Sequence, residues 1–306
     1  MVDVAAPAKQ SLRSMAWNNP ILLLALTALI WAGHSIVGRL AVGEIAPMTL
    51  VFLRWSVALG PIAYAARNTI GQDFRTLAPR WPLVAAMGAL GFTGFNALFY
   101  AAAHYTTALN MSLIQACIPG LVLIGATVFF RTRPGILQVL GALLTIIGVA
   151  EIAAQGEWSR LVKLSVNSGD AMMLLASVFY AFFTLALRMR PAVSGFGFLA
   201  AMALAALLTS LPLFAVEVAM KGFAWPSWRG WLVLVYAALG PAFLGQVLYM
   251  RGVELIGPSR AGVFVNLVPV FGALLAVVLL GEPFATYHLV ALGLVAAGIV
   301  IAQRRY

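Results

Sequence analysis

The chain has 306 residues, of which 63% are hydrophobic and only 9% carry a charged side chain. Soluble domains contain about 25% charged residues, so this composition excludes a soluble globular domain and predicts a protein embedded in a lipid bilayer. The formal net charge of +10 does not indicate a nucleic-acid partner, because the arginines stand in short loops between apolar runs, where they set the topology and contact anionic lipid headgroups.

The first predicted elements are a tail and a membrane span. Residues 1–18 are polar and weakly basic, and we interpret them as a cytoplasmic N-terminal tail. The run from Asn19 to Gly38 is long enough to cross a bilayer, and it lacks the small-residue cleavage pattern of a signal peptide. Further apolar runs of spanning length follow at residues 46–66, 82–104, 108–130, 135–154, 168–187, 192–216, 230–250, 260–280 and 285–303.

The loops between these runs are too short to hold a soluble domain, so we expect any activity to lie within the membrane. If the N-terminus is cytoplasmic, most of the 19 Lys and Arg residues fall in cytoplasmic loops, as the positive-inside rule requires. We therefore predict an all-α membrane protein of ten transmembrane helices with both termini in the cytoplasm. Its location is the cell membrane, or the inner membrane if the source is bacterial.

The second half of the chain repeats landmarks of the first half at a nearly constant spacing. Tyr100 corresponds to Tyr249, and Gly148 corresponds to Gly298. Five helices per half is an odd number, so the second half enters the membrane from the opposite side and the repeat is inverted. The competing interpretation is that apolar helices resemble one another by composition alone. The predicted division is the N-terminal tail 1–18, a first five-helix repeat 19–154, an extracytoplasmic linker 155–167, a second five-helix repeat 168–303 and a C-terminal tail 304–306.

Six of the ten predicted helices (1, 3, 4, 6, 8 and 9) carry polar and aromatic side chains three or four residues apart, and such side chains share one helix face. Polar groups and prolines are costly in lipid, so these rows predict a central cavity between the two halves. The competing interpretation is that the polar groups bond neighbouring helices and the aromatic rings are core or interface anchors. The predicted cavity residues are Trp31, His34, Thr93, Asn96, Tyr100, Gln115, Tyr180, Gln246, Tyr249 and Asn266, and the predicted helix kinks are at Pro119 and Pro269.

A few charged or titratable residues within the apolar runs have more than one interpretation. His34 is either a neutral imidazole bonded to a carbonyl, a substrate contact or a proton relay. We predict that Arg54 has a structural role, in which it snorkels to the outer surface or pairs with a helix end. Asp170 and Glu151 are predicted to face the outer interface, and Glu282 is predicted to cap a turn. Helices 5, 7 and 10 carry almost no polar residues and are predicted to face lipid or to act as scaffold.

Several short motifs resemble one known family. The first span ends IWAGHSIVGR, residues 280–283 read LGEP, and both halves place a proline within their fourth helix. These features resemble the opening tryptophan motif, the L-G-E motif and the mid-helix prolines of the EamA family in the drug/metabolite transporter superfamily, although residues 130–133 (FRTR) stand where the first L-G-E would fall. The overall pattern is most similar to the YddG-type aromatic amino-acid exporters. This resemblance implies the same six helices around a central cavity.

Motifs for other functions are absent from the sequence. There is no phosphate-binding loop for ATP and no hydrolase motif, and the single cysteine and three histidines are scattered. We therefore expect no enzyme activity, no cofactor and no metal site. No carboxylate lies at the centre of a predicted helix, where proton-coupled carriers usually place one. We expect facilitated flux down a substrate gradient, or coupling through His34.

The predicted cavity suits a small zwitterion. Amides and helix ends can hold its ammonium and carboxylate groups, and aromatic rings can stack on an apolar side chain. With the family resemblance, this favours a monomeric exporter of amino acids, aromatic ones included, with broad selectivity and alternating access. The alternatives are an exporter of organic cations such as quaternary-ammonium toxins, a nucleotide-sugar carrier, a channel and a membrane enzyme.

Overall fold

The computed structural model of the protein describes residues 16–159 and 167–303, and throughout these ranges the regular secondary structure is helical. The predicted tail 304–306, most of the predicted tail 1–18 and residues 160–166 of the predicted linker lie outside the described residues. The helices, numbered in chain order, are α1 Pro20–Leu40, α2 Pro47–Ala66, α3 Ile70–Ala102, α4 Ala108–Phe130, α5 Ile136–Ala154, α6 Ser168–Met189, α7 Gly195–Lys221, α8 Trp228–Ile256, α9 Pro258–Val265 with Leu267–Leu280, and α10 Thr286–Gln303.

Seven of the described helices, α1 to α4 and α6 to α8, are long and apolar enough to cross a membrane. The other three contain shorter apolar segments, namely Ile136–Ile152, Leu267–Leu280 and Thr286–Ile301. The chain is therefore an all-helical protein with multiple helices of membrane-spanning length. That the three shorter helices also cross the bilayer stays a prediction.

One predicted loop is helical. Residues 67–81 were expected to be a connection, but α3 begins at Ile70 and continues through a 3-10 turn at Ala78–Arg80. The carboxylate of Asp73 accepts hydrogen bonds from the backbone N (3.1 Å) and the Oγ (2.6 Å) of Ser194 at the start of α7. The segment is too polar on its outer face to be recognised as an apolar run, and this contact with α7 fixes it as a helix.

Polar residues immediately before the helices define several helix starts. A side-chain oxygen at the N-cap accepts a hydrogen bond from a backbone N–H of the first turn, which has no partner within the helix. Helices α1, α4, α6, α7 and α8 use this arrangement, with Asn19, Thr107, Asn167, Ser194 and Ser227 as the caps.

The two halves of the chain are interleaved. The most extensive helix–helix packing joins α5 with α10, α2 with α7, α1 with α8 and α9, and α6 with α3 and α4. Each of these pairs takes one helix from the first half and one from the second. The packing is also symmetric between the halves, in which α1, α3 and α4 correspond to α6, α8 and α9. Helix α1 packs on α8 and α9, and its counterpart α6 packs on α3 and α4.

The two halves approach each other closely at α5 and α10. Gly148 of α5 faces the backbone oxygen of Ala291, and Gly298 of α10 faces the backbone oxygen of Gly141. A Cβ at either glycine would lie too close to the opposite backbone, so the missing side chains permit this contact. The two contacts correspond to each other when the halves are interchanged.

Candidate functional site

A cavity of about 190 Å³ lies between the two halves. Of the predicted cavity residues, seven lie on its wall together with the two predicted kink prolines. These are Trp31, His34, Asn96, Gln115, Tyr180, Gln246 and Asn266, with Pro119 and Pro269.

The remaining three predicted residues are not among those that line the cavity. The Oγ1 of Thr93 is 3.0 Å from the carbonyl oxygen of Ala206 and 2.7 Å from the Oγ1 of Thr209, so it connects α3 to α7. Tyr100 is 1% exposed and its hydroxyl contacts His34 at 2.9 Å. Tyr249 packs its ring against Trp31, with 5.3 Å between ring centroids. Tyr100 and Tyr249 thus each contact a wall residue.

Irregular helix segments build much of the wall. Helix α3 has a π-helical segment at Gly88–Gly94, and α8 has one at Gly240–Leu244. Helix α4 narrows to a 3-10 turn at Gln115–Cys117, and α9 is interrupted at Asn266. Such segments leave backbone carbonyls unpaired or displaced, and the indole Nε1 of Trp31 donates to one of them, the Pro241 oxygen, at 3.2 Å. All four irregular segments contribute residues to the cavity.

Arg54 is a wall residue, although the sequence was interpreted to give it a structural role at the outer surface or at a helix end. The predicted snorkelling to the outer surface is wrong, because Arg54 is only 4% exposed and lines the cavity; a structural role inside the bundle stays a prediction. Its Nη1 donates to the Oδ1 of Asn96 and lies 3.0 Å from both His34 Nε2 and the Tyr100 hydroxyl. The sequence signal for a cavity position was an arginine two turns into an apolar run. A single arginine at that depth is equally compatible with snorkelling to the surface.

His34 has a defined hydrogen-bonding role in this cluster. Nε2 of His34 lies 2.9 Å from the Tyr100 hydroxyl and 3.0 Å from Arg54 Nη1. A guanidinium can only donate, so the contact with Arg54 requires Nε2 as the acceptor. The ring also stacks on Phe99, with 4.4 Å between centroids and an interplanar angle of 17°. The Nε2 atom of His34 thus contacts Arg54 and Tyr100, where a carbonyl had been considered, and its role as a substrate contact or proton relay stays a prediction.

An aromatic wall faces this polar cluster. Trp55 stacks on Phe92 with 4.7 Å between centroids, and Phe95 packs against Tyr180 at 5.2 Å. Sequence reasoning did not find Trp55, Phe92 or Phe95, because an aromatic side chain facing a cavity has the same sequence pattern as one facing lipid. The cavity therefore offers flat apolar surfaces beside a buried cation.

The set of cavity helices is larger than predicted. Helix α2 contributes Arg54 and Trp55, α7 contributes Leu199 and α10 contributes Ile299. The scaffold prediction for helices 7 and 10 thus fails at these two positions, where apolar side chains close the cavity. The cavity was predicted from rows of polar and aromatic residues, so aliphatic wall residues such as Leu199 and Ile299 could not be found in this way.

Two carboxylates that are not part of the cavity wall, Asp170 and Glu282, accept hydrogen bonds near the start of α4. Asp170 was predicted to face the outer interface, but it is 2% exposed and accepts hydrogen bonds from Thr106 Oγ1 (2.5 Å) and Asn110 Nδ2 (3.3 Å). Glu282 accepts from the backbone N–H groups of Ala108 (2.9 Å) and Leu109 (2.8 Å). It therefore caps the start of α4, which matches its predicted capping role.

Comparison with known proteins gives consistent results. The model of the EamA-like transporter family matches residues 18–153 and again residues 167–303. The chain is 24% identical over 298 residues to the "Uncharacterized transporter YyaM" of Bacillus subtilis, which covers 94% of this chain and 93% of that protein. It is 27% identical over 306 residues to the "Probable terminal-alkyne amino-acid exporter" of Streptantibioticus cattleyicolor, with 95% of each chain covered. A solved structure titled "Crystal structure of protein" superposes with a TM-score of 0.66 at 19% identity, covering 92% of this chain and 96% of that one, and supports the fold.

Proposed function

The chain belongs to the EamA-like transporter family and is a membrane transporter, and on this premise we propose that it exports amino acids, aromatic ones included, by alternating access through the cavity between its halves. The observation that carries this proposal is the composition of the cavity wall, where aromatic rings stand beside amides and a buried guanidinium. Its volume of about 190 Å³ is below the roughly 300–1,000 Å³ of drug-sized sites, which favours a small metabolite.

The buried charge of Arg54 supports an amino acid over an organic cation. A cation about 6 Å from this guanidinium is repelled by about 3 kcal/mol at an effective dielectric constant of about 20. A nucleotide-sugar carrier needs several basic side chains for its phosphates, and among the described residues of the cavity wall Arg54 is the lone arginine or lysine. The amino-acid exporter among the relatives adds support from a distant homologue.

The proposed topology is ten spans in two inverted halves, residues 19–154 and 168–303, with both termini in the cytoplasm. Its support is the interchangeable helix packing and the π-helical segments at corresponding places in α3 and α8. Alternating access then corresponds to rocking of one half against the other around a fixed central site. We propose the monomer as the working unit, since one chain encloses the cavity.

The transport proposal is tested with purified protein in liposomes. We expect saturable counterflow of L-phenylalanine, and equal rates with and without a pH gradient if transport is facilitative. Asn266→Ala and Gln246→Ala remove cavity amides and should lower flux up to about tenfold, the equivalent of one lost hydrogen bond. Ser56→Ala is the matched control, because Ser56 is exposed on α2 and bonds its own helix at Phe52. Flux that does not saturate indicates a channel, and absence of flux for any amino acid refutes the proposal.

The topology is tested by cysteine labelling in a Cys117→Ser background. Asn68 and Ala224 are exposed in corresponding loops of the two halves, after α2 and after α7. In the proposed inverted arrangement they lie on opposite sides of the membrane. We expect a membrane-impermeant maleimide added outside intact cells to label Ala224→Cys, and to label Asn68→Cys only after permeabilisation. Labelling of both from one side contradicts the inverted repeat.

A further inference from the structure

Two buried hydrogen-bond donors on residues of the cavity wall have no acceptor within the described part of the chain. They are the Nε of Arg54 and the indole Nε1 of Trp55, and both nitrogens are shielded from solvent. The two residues are 4% and 3% exposed, and both line the cavity. Buried polar atoms are nearly always paired because an unpaired one keeps its full desolvation cost. Two unpaired donors on adjacent wall residues therefore require an explanation.

The positive charge of Arg54 has no carboxylate partner in the described part of the chain, although its guanidinium carbon lies 5.1 Å from the centroid of the Trp55 ring. Within residues 16–159 and 167–303 its hydrogen bonds all come from Nη1, and its partners are the amide of Asn96, the imidazole of His34 and the hydroxyl of Tyr100, none of which is an anion. The side-chain ion pairs found in these ranges join other residues, at the protein surface. The guanidinium is thus held in position on one nitrogen without being neutralised.

From these observations we infer that Arg54 and Trp55 form an anion subsite, which binds the carboxylate of the transported molecule. This inference rests on the proposed function, and it specifies which part of the substrate is recognised. A guanidinium is a planar donor that matches a carboxylate, and the bond is strengthened by the charge of both partners. The indole N–H supplies a second donor from the next residue along α2.

The burial of the two nitrogens implies that the subsite is occupied only after a rearrangement of the cavity wall. Both are closed to solvent in this conformation, so a carboxylate reaches them only when neighbouring wall side chains move aside. The aromatic ring that stacks on Trp55 belongs to Phe92, in the π-helical segment of α3. A substrate that enters beside Phe92 thus neutralises the buried cation, and its apolar part meets the aromatic wall.

The inference is tested with three probes that differ only in their charged groups. L-Phenylalanine has an ammonium and a carboxylate, 3-phenylpropionate has only the carboxylate, and 2-phenylethylamine has only the ammonium. Binding is followed as the concentration of probe that gives half-maximal thermal stabilisation of the full chain in detergent, so it does not depend on transport. We expect both carboxylates to bind at least tenfold more tightly than the amine. Equal binding of the amine, or no stabilisation by either carboxylate, overturns the inference.

Variants assign the effect to the two side chains. Trp55→Phe keeps a ring to stack on Phe92 but removes the N–H, and should weaken both carboxylates about tenfold without changing the amine. Arg54→Gln should abolish the preference for carboxylates. If Arg54→Gln does not fold, the anion subsite is tested by Trp55→Phe and by the wild-type probe series. Unchanged affinity of Trp55→Phe for the two carboxylates refutes the subsite. Ser56→Ala, exposed on the same helix, is the control.

The liposome assay separates this inference from the proposed function. Counterflow of L-phenylalanine with equal competition by 2-phenylethylamine refutes the subsite and leaves amino-acid transport standing. Carboxylate-dependent stabilisation without counterflow of any amino acid supports the subsite and refutes the proposed substrate.

Discussion

The start of α2 depends on a carboxylate from the other half of the chain, and this dependence gives a quantitative prediction. Pro47 has no N–H, and the N–H of Leu50 bonds Ala46 within the helix start at 2.9 Å. The two remaining first-turn donors, Met48 and Thr49, both bond the carboxylate of Glu217 at the end of α7, at 3.1 and 2.8 Å. Glu217 therefore satisfies the free N–H groups of this helix end.

Replacing Glu217 by Gln keeps the shape of the side chain but leaves one acceptor oxygen for two N–H groups. A lost hydrogen bond to a charged group and the lost interaction of a negative charge with the helix N-terminus together cost about 2 to 4 kcal/mol. Water cannot readily replace the carboxylate, because Glu217 is 9% exposed and Thr49 is 3% exposed. We therefore expect a free energy of unfolding lower by that amount.

The assay is equilibrium unfolding in mixed detergent and SDS micelles, followed by tryptophan fluorescence. Glu254→Gln is the matched control, since Glu254 forms an exposed ion pair with Arg251 at 3.0 Å and such pairs contribute at most about 1 kcal/mol. If Glu217→Gln and Glu254→Gln change the free energy of unfolding equally, the assignment of Glu217 as the cap of α2 is incorrect.

Three further predictions concern contacts away from the cavity. Glu282→Ala removes the acceptor of two N–H groups at the start of α4 and should lower the free energy of unfolding by about 2 kcal/mol in the same assay; a change below about 0.5 kcal/mol contradicts this. Gly33→Leu places a side chain where Tyr236 packs, and should abolish the monodisperse peak in size-exclusion chromatography, whereas Gly60→Leu, with open space around it, should keep the peak. Asp170→Leu removes the buried acceptor of Thr106 Oγ1 and Asn110 Nδ2 and should lower the thermal midpoint in detergent by more than Gly60→Leu does; an equal midpoint counts against that role.

The sequence predicted the positions of most helices because length and hydrophobicity suffice to define a membrane span. It failed at Ile70–Leu77, where a short helix is amphipathic and depends on a contact with α7. The polar cavity residues Asn96 and Gln115 were found because bulky amides at helical spacing are unusual in an apolar helix. The polar residues of the cavity wall can therefore be predicted from the polarity and periodicity of the sequence.

The rest of the site depends on geometry that spacing does not encode. The predicted row on α3 assumed a regular helix, but the π-helical segment Gly88–Gly94 changes the number of residues per turn. As a result Phe92 and Asn96 line the cavity while Thr93 contacts α7. The proposed role of Arg54 depends on its having no ion-pair partner among residues 16–159 and 167–303, which only the packed structure reveals.

The interleaving of the two halves has a consequence for biosynthesis. A ribosome releases α1 to α5 before α6 to α10 exist, yet α1 packs mainly on α8 and α9, and α5 packs on α10. Until the last helices are translated, the faces of α5 and α1 that pack on the second half lack these packing partners. The first five helices therefore enter the membrane before their native packing can form. The native packing is complete only after α10 has been inserted.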